Sequence, residues 1–324
     1  MAKNVLVTGG SGRLGNYVCS YLKKQGFNVT SFDVVPTPPE SFNAVEQIPF
    51  VMGDLLNLGE FLRAIAVAKA DVIVHLAAIT GPTEISLPYD KEKGFLGGPP
   101  MRYMQRVPED TCFKINTMGT FYILDAARRM GVKDVIISSS FFATGMGNRP
   151  GGSSYTPQYL PVDEEHPCDP ENSYSLSKYL NEITGEAFAR AYNMNVIALR
   201  YMGVHYDNNK NSQHKFGITI EQLEDVNKGK MTLTSCQYAD ARDIARIIEM
   251  GIQKMGSPDL KPFEAFFVST DTKYVGPSSV DVAKAWPFLS ELAKNLKGNE
   301  GIFSIAKAEK LLGYKPAYSW RDSK

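Results

Sequence analysis

Residues 4–15 read Asn4-Val5-Leu6-Val7-Thr8-Gly9-Gly10-Ser11-Gly12-Arg13-Leu14-Gly15, and a helical pattern through Val18, Cys19 and Leu22 follows, stopped by Gly26. A short apolar run, a glycine turn and an amphipathic helix make a strand–turn–helix unit. Gly9, Gly12 and Gly15 carry the spacing G-x-x-G-x-x-G. Such a loop turns tightly, lets backbone N–H groups approach a pyrophosphate and lets the helix pack close to the strand. The positive helix N-terminus then faces the phosphates. A glycine triplet alone is an ordinary tight turn; the strand before it and the helix behind it make it a dinucleotide fingerprint. Gly9, Gly12, Arg13, Leu14 and Gly15 are therefore expected at the cofactor.

Outward from this unit the alternation continues. Asn28–Phe32, Pro49–Met52, Asp71–Leu76, Asp134–Ser139 and Asn195–Leu199 read as strands, with helical patterns at Gly59–Lys69, Phe113–Met130 and Tyr174–Asn193. Strands apolar on both faces and separated by helix-length segments imply parallel pairing with helical crossovers. The expected fold is α/β, a doubly wound parallel sheet of Rossmann type. After Arg200 the alternation weakens: Phe216–Lys228 looks helical, Thr232–Met250 resembles a strand then a helix, Phe263–Ser269 a last strand, and Ser279–Leu296 and Ser304–Leu312 helices. The expected division is a dinucleotide-binding domain over 1–203, joined by 232–255 and 263–270, and a smaller discontinuous substrate lobe over 204–231 and 271–324. Two irregular stretches, Thr80–Asp110 and Gly145–Pro170, follow strands at the ligand-binding edge of such a sheet. They read as substrate-covering loops or as bland surface insertions.

The composition fits. Thirty-five Lys+Arg balance 35 Asp+Glu in 324 residues, 22% are charged and 43% hydrophobic. That neutrality argues against nucleic acid and anionic lipid as partners. No apolar stretch approaches a membrane span. The strand-like run from residue 4 leaves no room ahead of it for a signal peptide, so a cytoplasmic protein is expected. Its four scattered cysteines would be reduced thiols, and no His or Cys cluster suggests a metal.

Asp33 ends the second strand, 18 residues after Gly15. A carboxylate there accepts both adenosine ribose hydroxyls and repels a 2′-phosphate, so NAD is favoured over NADP. Arg13 is the one residue that softens this preference. Asp54, with Leu55 behind it, is placed to reach the adenine; the bland alternative for Asp54 is a helix cap before Leu55–Arg63.

Tyr174-Ser175-Leu176-Ser177-Lys178 puts a phenol and an ammonium four residues apart, on one helix face. A free tyrosine ionises near pH ~10, so about one in a thousand is phenolate at neutrality. A neighbouring Lys⁺ and an oxidised pyridine ring would each favour the phenolate. Lowering the pKa by about three units corresponds to roughly 4 kcal/mol, plausible for two partly desolvated cations. A tyrosine simply packed beside a lysine is the ordinary explanation of such spacing. Ser138-Ser139-Ser140, ending the fifth strand, offers a hydroxyl to hold a substrate alcohol against that phenol.

Together these pieces resemble the extended short-chain dehydrogenases/reductases of the NAD-dependent epimerase/dehydratase family: Thr8–Gly15, Asp33, Gly53-Asp54, His75-Leu76-Ala77-Ala78, Asn116–Thr120, Ser138–Ser140, Tyr174 with Lys178, Leu199-Arg200, and Leu311–Pro316. The resemblance implies that Tyr174 is the acid/base, that Lys178 binds the nicotinamide ribose and tunes Tyr174, and that Ser140 orients the substrate hydroxyl, with Ser139 an alternative. It places Ala77 and Ala78 along the cofactor and Asn116 in support, where helix capping or packing is the other explanation. His75 reads as a satisfied strand residue. A homodimer through the helices at 113–130 and 174–193 follows by family analogy.

The expected reaction is hydride transfer from a secondary alcohol of a sugar, sugar acid or similar polyol, catalysed as an NAD-dependent oxidoreductase. The alternative is a sugar or nucleotide-sugar epimerase with tightly retained NAD; a silent nucleotide-sensing protein is a third reading. Phe141-Phe142-Ala143 after Ser140 cannot supply the Asp-Glu pair of the family's dehydratases. Gly203, Cys236 and Thr144-Gly145 stand where nucleotide-sugar epimerases carry Asn, Arg and Tyr, which favours a smaller substrate. Lys210, Lys215 and Arg242 are candidates for a substitute diphosphate clamp.

Overall fold

A computed structural model of the chain describes residues 2–83, 108, 110–146, 155–207 and 237–322. The seven principal strands are β1 (Asn4–Thr8), β2 (Asn28–Asp33), β3 (Phe50–Met52), β4 (Val72–His75), β5 (Asp134–Ser140), β6 (Asn195–Tyr201) and β9 (Phe263–Val268). They form one sheet in the order β3-β2-β1-β4-β5-β6-β9, every neighbouring pair parallel. The order reverses between β1 and β4, and this switch point opens the crevice where such sheets take ligands.

Alternate residues of each strand face opposite layers. On one face Leu6, Ile73, Val135, Ile137, Val196 and Ala198 pack with Phe61, Ile65, Ile123 and Leu124. The helices here are α3 (Leu58–Ala68), α4 (Thr111–Arg129) and α5 (Ser173–Tyr192). On the other face Val5, Val7, Val72, Val74, Ile136, Ile197 and Leu199 pack with Val18, Leu22, Ile244 and Ile248. The last four belong to α1 (Arg13–Lys24) and α6 (Ala241–Lys254). A short turn, α2 (Phe42–Val45), completes this end. The doubly wound architecture expected from the alternation is the observed one.

A second sheet, β10-β8-β7, is built from Asp271–Thr272, Gln237–Asp240 and Gly203–His205. The helical pattern over 279–296 is broken by Pro287 into α7 (Ser278–Ala285), a 3₁₀ turn at Pro287–Leu289 and α8 (Ser290–Ala293). Proline has no amide to donate and crowds the preceding turn, and the break lets Trp286 bury completely. The last helix, α9 (Ala306–Leu312), ends on Gly313 at φ +75°. The helix expected over 216–228, most of the loop at 80–110 and residues 147–154 of the second loop lie outside the described residues.

Candidate active site

Gly9 N–H donates to Phe32 O (2.8 Å) and Gly12 N–H to Gly9 O (3.0 Å), folding the glycine loop across the ends of β1 and β2. Gly9 sits at φ +72°, and a Cβ there would stand 2.7 Å from Ala77 N; one at Gly15 would stand 2.1 Å from Gly9 O and 2.6 Å from Gly10 Cα. Backbone fills the space that any side chain would need. Gly12 is the N-cap of α1 and supplies no side chain to its amides, and the first turn holds no acidic residue. This bare helix start is suited to a pyrophosphate. The residues present fit a dinucleotide.

Asp33 accepts from Ser11 N–H (3.1 Å) and Val34 N–H (2.8 Å), which ties the loop to the end of β2 and fixes the carboxylate. Arg13 lies with its guanidinium 4.8 Å from the centre of the Tyr206 ring, toward β7. Leu14, in the first turn of α1, packs on the core. Asn57 caps α3, accepting from Gly59 and Glu60 N–H, so the capping explanation for Asp54 fails. Asp54 instead accepts from Leu56 N–H (2.9 Å) in a local turn. Leu55 packs beside Gly119 on α4, where a Cβ would meet it at 3.2 Å.

Ala77 N–H reaches Thr8 Oγ1 at 3.4 Å, and Thr8 also pairs with His75 Nδ1 at 2.7 Å. Burial holds His75 neutral, its pKa pulled down to about 3, with the Lys178 charge assisting. Asn116 is a clamp: its Oδ1 accepts from Ile79 N–H (2.8 Å), and its Nδ2 donates to Ile79 O and Ser177 Oγ (both 3.0 Å). It joins the segment after β4, which carries Ala77 and Ala78, to α5.

Helix α5 begins at the N-cap Asn172, whose side chain accepts from Ser175 N–H (2.9 Å). This start places Tyr174 in the first turn, at the carboxyl edge of the sheet. Lys178 is 2% exposed. Its Nζ donates to Ser138 O (2.9 Å) and lies 5.7 Å from the Tyr174 ring centre. Burial pulls its pKa down to about 8, against the raising influence of Cys112 and Glu182.

The two candidate serines separate cleanly. Strand alternation turns Ser139 to the α5 face, where its hydroxyl donates to Glu182 Oε1 at 2.5 Å. Ser140 points the other way; its Oγ accepts from Phe142 N–H (3.2 Å), and Phe142 meets the Tyr174 ring edge-on at 5.8 Å. Ser139 is committed to the frame. Ser140 keeps its proton for another acceptor.

Sequence reasoning passed over two groups that build this site. Phe142 supports Tyr174, and Glu182 joins α5 to β5 and β6 through Ser139 and Arg200. The signal for Glu182 was its spacing, four residues beyond Lys178 on the same face. Arg242, a candidate clamp, is engaged by Asp240 (2.8 Å) and Asp207 (3.2 Å) and stacks 4.0 Å over Tyr318. Lys210, Lys215 and Cys236 lie outside the described residues. Among the described residues, no helix is long and apolar enough to cross a membrane and no cluster could hold a metal ion.

Comparison with known proteins bears on the fold and the family. The model of the NAD dependent epimerase/dehydratase family matches residues 5–88 and 105–260. A putative UDP-glucose 4-epimerase of Methanocaldococcus jannaschii is 28% identical over 202 residues, 62% of this chain and 56% of that protein. The matched stretch thus spans about half of that relative's length. Among solved structures, the UDP-glucose 4-epimerase of Brucella ovis in complex with NAD superposes with a TM-score of 0.68 at 20% identity, over 99% of this chain and 96% of that one. A mutated uronate dehydrogenase superposes at 0.63 with 17% identity, over 100% and 86%. Identities this low establish the shared fold. The family match rests on the sequence itself: this chain belongs to the NAD dependent epimerase/dehydratase family.

Proposed function

We propose that the chain is an NAD-dependent oxidoreductase that takes hydride from a secondary alcohol of a sugar, sugar acid or similar polyol. Gly9, Gly12, Arg13, Leu14 and Gly15 hold the pyrophosphate end, Asp33 the adenosine ribose, Asp54 and Leu55 the adenine side, and Ala77, Ala78 and Asn116 the wall leading to Tyr174 and Lys178. Bound NAD supplies the hydride acceptor. Tyr174 takes the carbinol proton, Lys178 favours the phenolate form, and Ser140 donates to the substrate oxygen. The observation that carries the reading is Lys178, buried at the sheet edge against Ser138 O and beside Tyr174. An ammonium in so dry a place costs stability, and groups perturbed in this way cluster at functional sites.

If the ketone formed is released, the enzyme is a dehydrogenase. If it turns over and receives hydride on its other face, the same residues make an epimerase. The likeness to the putative UDP-glucose 4-epimerase of M. jannaschii favours that second reading. A small substrate is favoured by Arg242, whose neutralisation by two carboxylates leaves it a weak partner for a diphosphate. The substrate lobe comprises 204–231 and 271–324. Addition of sugars, uronates, polyols and nucleotide-sugars to NAD-loaded protein tests the choice: free NADH supports the dehydrogenase, bound and regenerated NAD the epimerase, and no hydride transfer with any of them overturns both.

The homodimer belongs to the same proposal. Phe113, Met118, Phe121, Leu176, Ile183 and Tyr192 are large apolar side chains exposed on the packed pair α4 and α5. Covering them with a second copy removes apolar surface from water. Thiols without disulfides at Cys19, Cys112 and Cys168 suit the reducing cytoplasm.

A further inference from the structure

Below the Tyr174–Lys178 pair lies a buried ion pair to which the proposed chemistry assigns nothing. Glu182 is 4% exposed and Arg200 also 4%. The guanidinium grips the carboxylate with two bonds, Nε to Oε1 at 2.9 Å and Nη2 to Oε2 at 2.8 Å. Ser139 Oγ adds a third at 2.5 Å. Arg200 also lies 5.2 Å from the Phe267 ring centre and reaches Cys168 Sγ at 3.7 Å, while its Nη1 is buried with no protein partner.

This arrangement is poor as a stabilising device. Two ions lose their hydration, and an apolar pair of equal volume would hold the layers together at least as well. Its placement suits another task. Tyr174, Lys178 and Glu182 follow one another at four-residue steps on one face of α5. Lys178 binds α5 to β5 through Ser138 O. Glu182, one turn further, binds α5 to β5 through Ser139 and to β6 through Arg200. Two adjacent turns are thus keyed to adjacent residues of β5, and the height at which α5 presents Tyr174 is set by both.

We infer that Glu182, through Arg200 and Ser139, is a positioning residue for Tyr174 and Lys178, and that its paired charge keeps the field beneath them close to neutral. The inference rests on the reading of Tyr174 and Lys178 given above. The other ionisable groups facing Lys178 are Cys112 on α4 and His75 on β4, both outside the ion pair. Glu164 faces Arg200 from the loop before α5. Without Glu182, the Arg200 cation behind Lys178 loses its bidentate partner and drives protons off its neighbours. Without both, the field returns to neutral.

The test is a titration of phenolate absorbance in NAD-loaded protein, with Tyr174→Phe subtracted to isolate Tyr174. Glu182→Gln is expected to lower the midpoint of the Tyr174–Lys178 pair by about one pH unit. The double variant Glu182→Gln/Arg200→Met is expected to return it to the wild-type position. Packing alone moves no midpoint, so identical midpoints in all three proteins overturn the inference. Should Glu182→Gln not fold, Glu182→Asp keeps the charge and shortens the reach. It is expected to retain the midpoint and to weaken NADH binding severalfold, and unweakened binding overturns the inference equally. If Tyr174→Phe removes no titrating phenolate from the wild type, the underlying reading of Tyr174 has failed and this inference falls with it. A Tyr174 that titrates but does not respond to Glu182 refutes the positioning role alone.

Discussion

Replacing Lys178 by Met is expected to make the protein more stable while removing its chemistry. The ammonium is 2% exposed and its pKa is pulled from 10.5 down to about 8, chiefly by burial. The unfolded chain therefore binds the proton more tightly than the native one by about 2.5 units, worth roughly 3 kcal/mol at neutral pH. The sign follows from proton counting. Below pH 8 both states carry the proton and the native state bears the whole penalty. Between pH 8 and 10.5 the native lysine discharges first and stability rises; above 10.5 the penalty is gone. Methionine has nearly the same length and no charge. Its substitution leaves Ser138 O without the Nζ donor, a loss of about 1 kcal/mol. The net gain at pH 7 is about 2 kcal/mol, a rise in Tm of several degrees for a chain of this size. The assay is thermal unfolding of both proteins from pH 6.5 to 10.5, with NADH binding followed by fluorescence. Lys178→Met should melt higher at pH 7, and the gap should close as pH approaches 10.5. A variant that melts lower at neutral pH, or a gap that ignores pH, refutes the reasoning.

Three further outcomes follow from the same site. Gly15→Ala puts a Cβ 2.1 Å from Gly9 O; pushing helix and loop apart misaligns charge-assisted bonds worth about 1.5–3 kcal/mol, so NADH should bind roughly tenfold to a hundredfold more weakly. Equal affinity would show that the loop does not hold the cofactor. Asp33→Ala removes the fixed carboxylate and its repulsion of a 2′-phosphate, so the ratio of NADPH to NADH dissociation constants, measured by fluorescence titration, should fall. His75, with its pKa pulled from 6.5 to about 3 by burial, binds its proton more weakly in the native state. Stability is full above pH 6.5 and falls as pH drops toward 3, by up to about 5 kcal/mol. His75→Gln should flatten that acid slope in urea unfolding, and an unchanged slope would exclude His75 as its source.

The parts of this architecture that the sequence discloses are those decided locally. The glycine loop is legible because its turn and its helix start are demanded within a dozen residues, and its glycines leave room for backbone that arrives from further along the chain. Gly9 at φ +72° beside the Ala77 backbone, and Gly15 against Gly9 O, are what such spacing requires. Strand and helix periods likewise reach the surface of the text, because a seven-stranded parallel sheet buries both faces of its strands. Where two residues compete for one local role, pattern reading is weaker. Asp54 and Asn57 are both good helix caps, and only the course of the backbone gives the cap to Asn57. The apolar spacing over 279–296 carries a helix straight through Trp286-Pro287, although the proline already contained the break.

What stays hidden is any function assembled across elements. Ser139 and Ser140 look interchangeable in a triplet, yet β5 sends one toward Glu182 and the other toward Phe142. Period two of the strand implies that they part; only the three-dimensional arrangement says which side faces Tyr174. Glu182 and Arg200 are 18 positions apart on a helix and a strand, and neither carries a motif without the other. Their pairing becomes meaningful once Ser138 O and Ser139 Oγ are seen to receive successive turns of α5. A tyrosine and a lysine at four-residue spacing occur in many helices, but here that helix is held at two heights against the strand that carries the candidate hydroxyl. The residues that perform chemistry can thus be named from short motifs. Those that determine where the chemistry happens are distributed over the fold, and their variants should separate from simple unfolding by shifting titration midpoints.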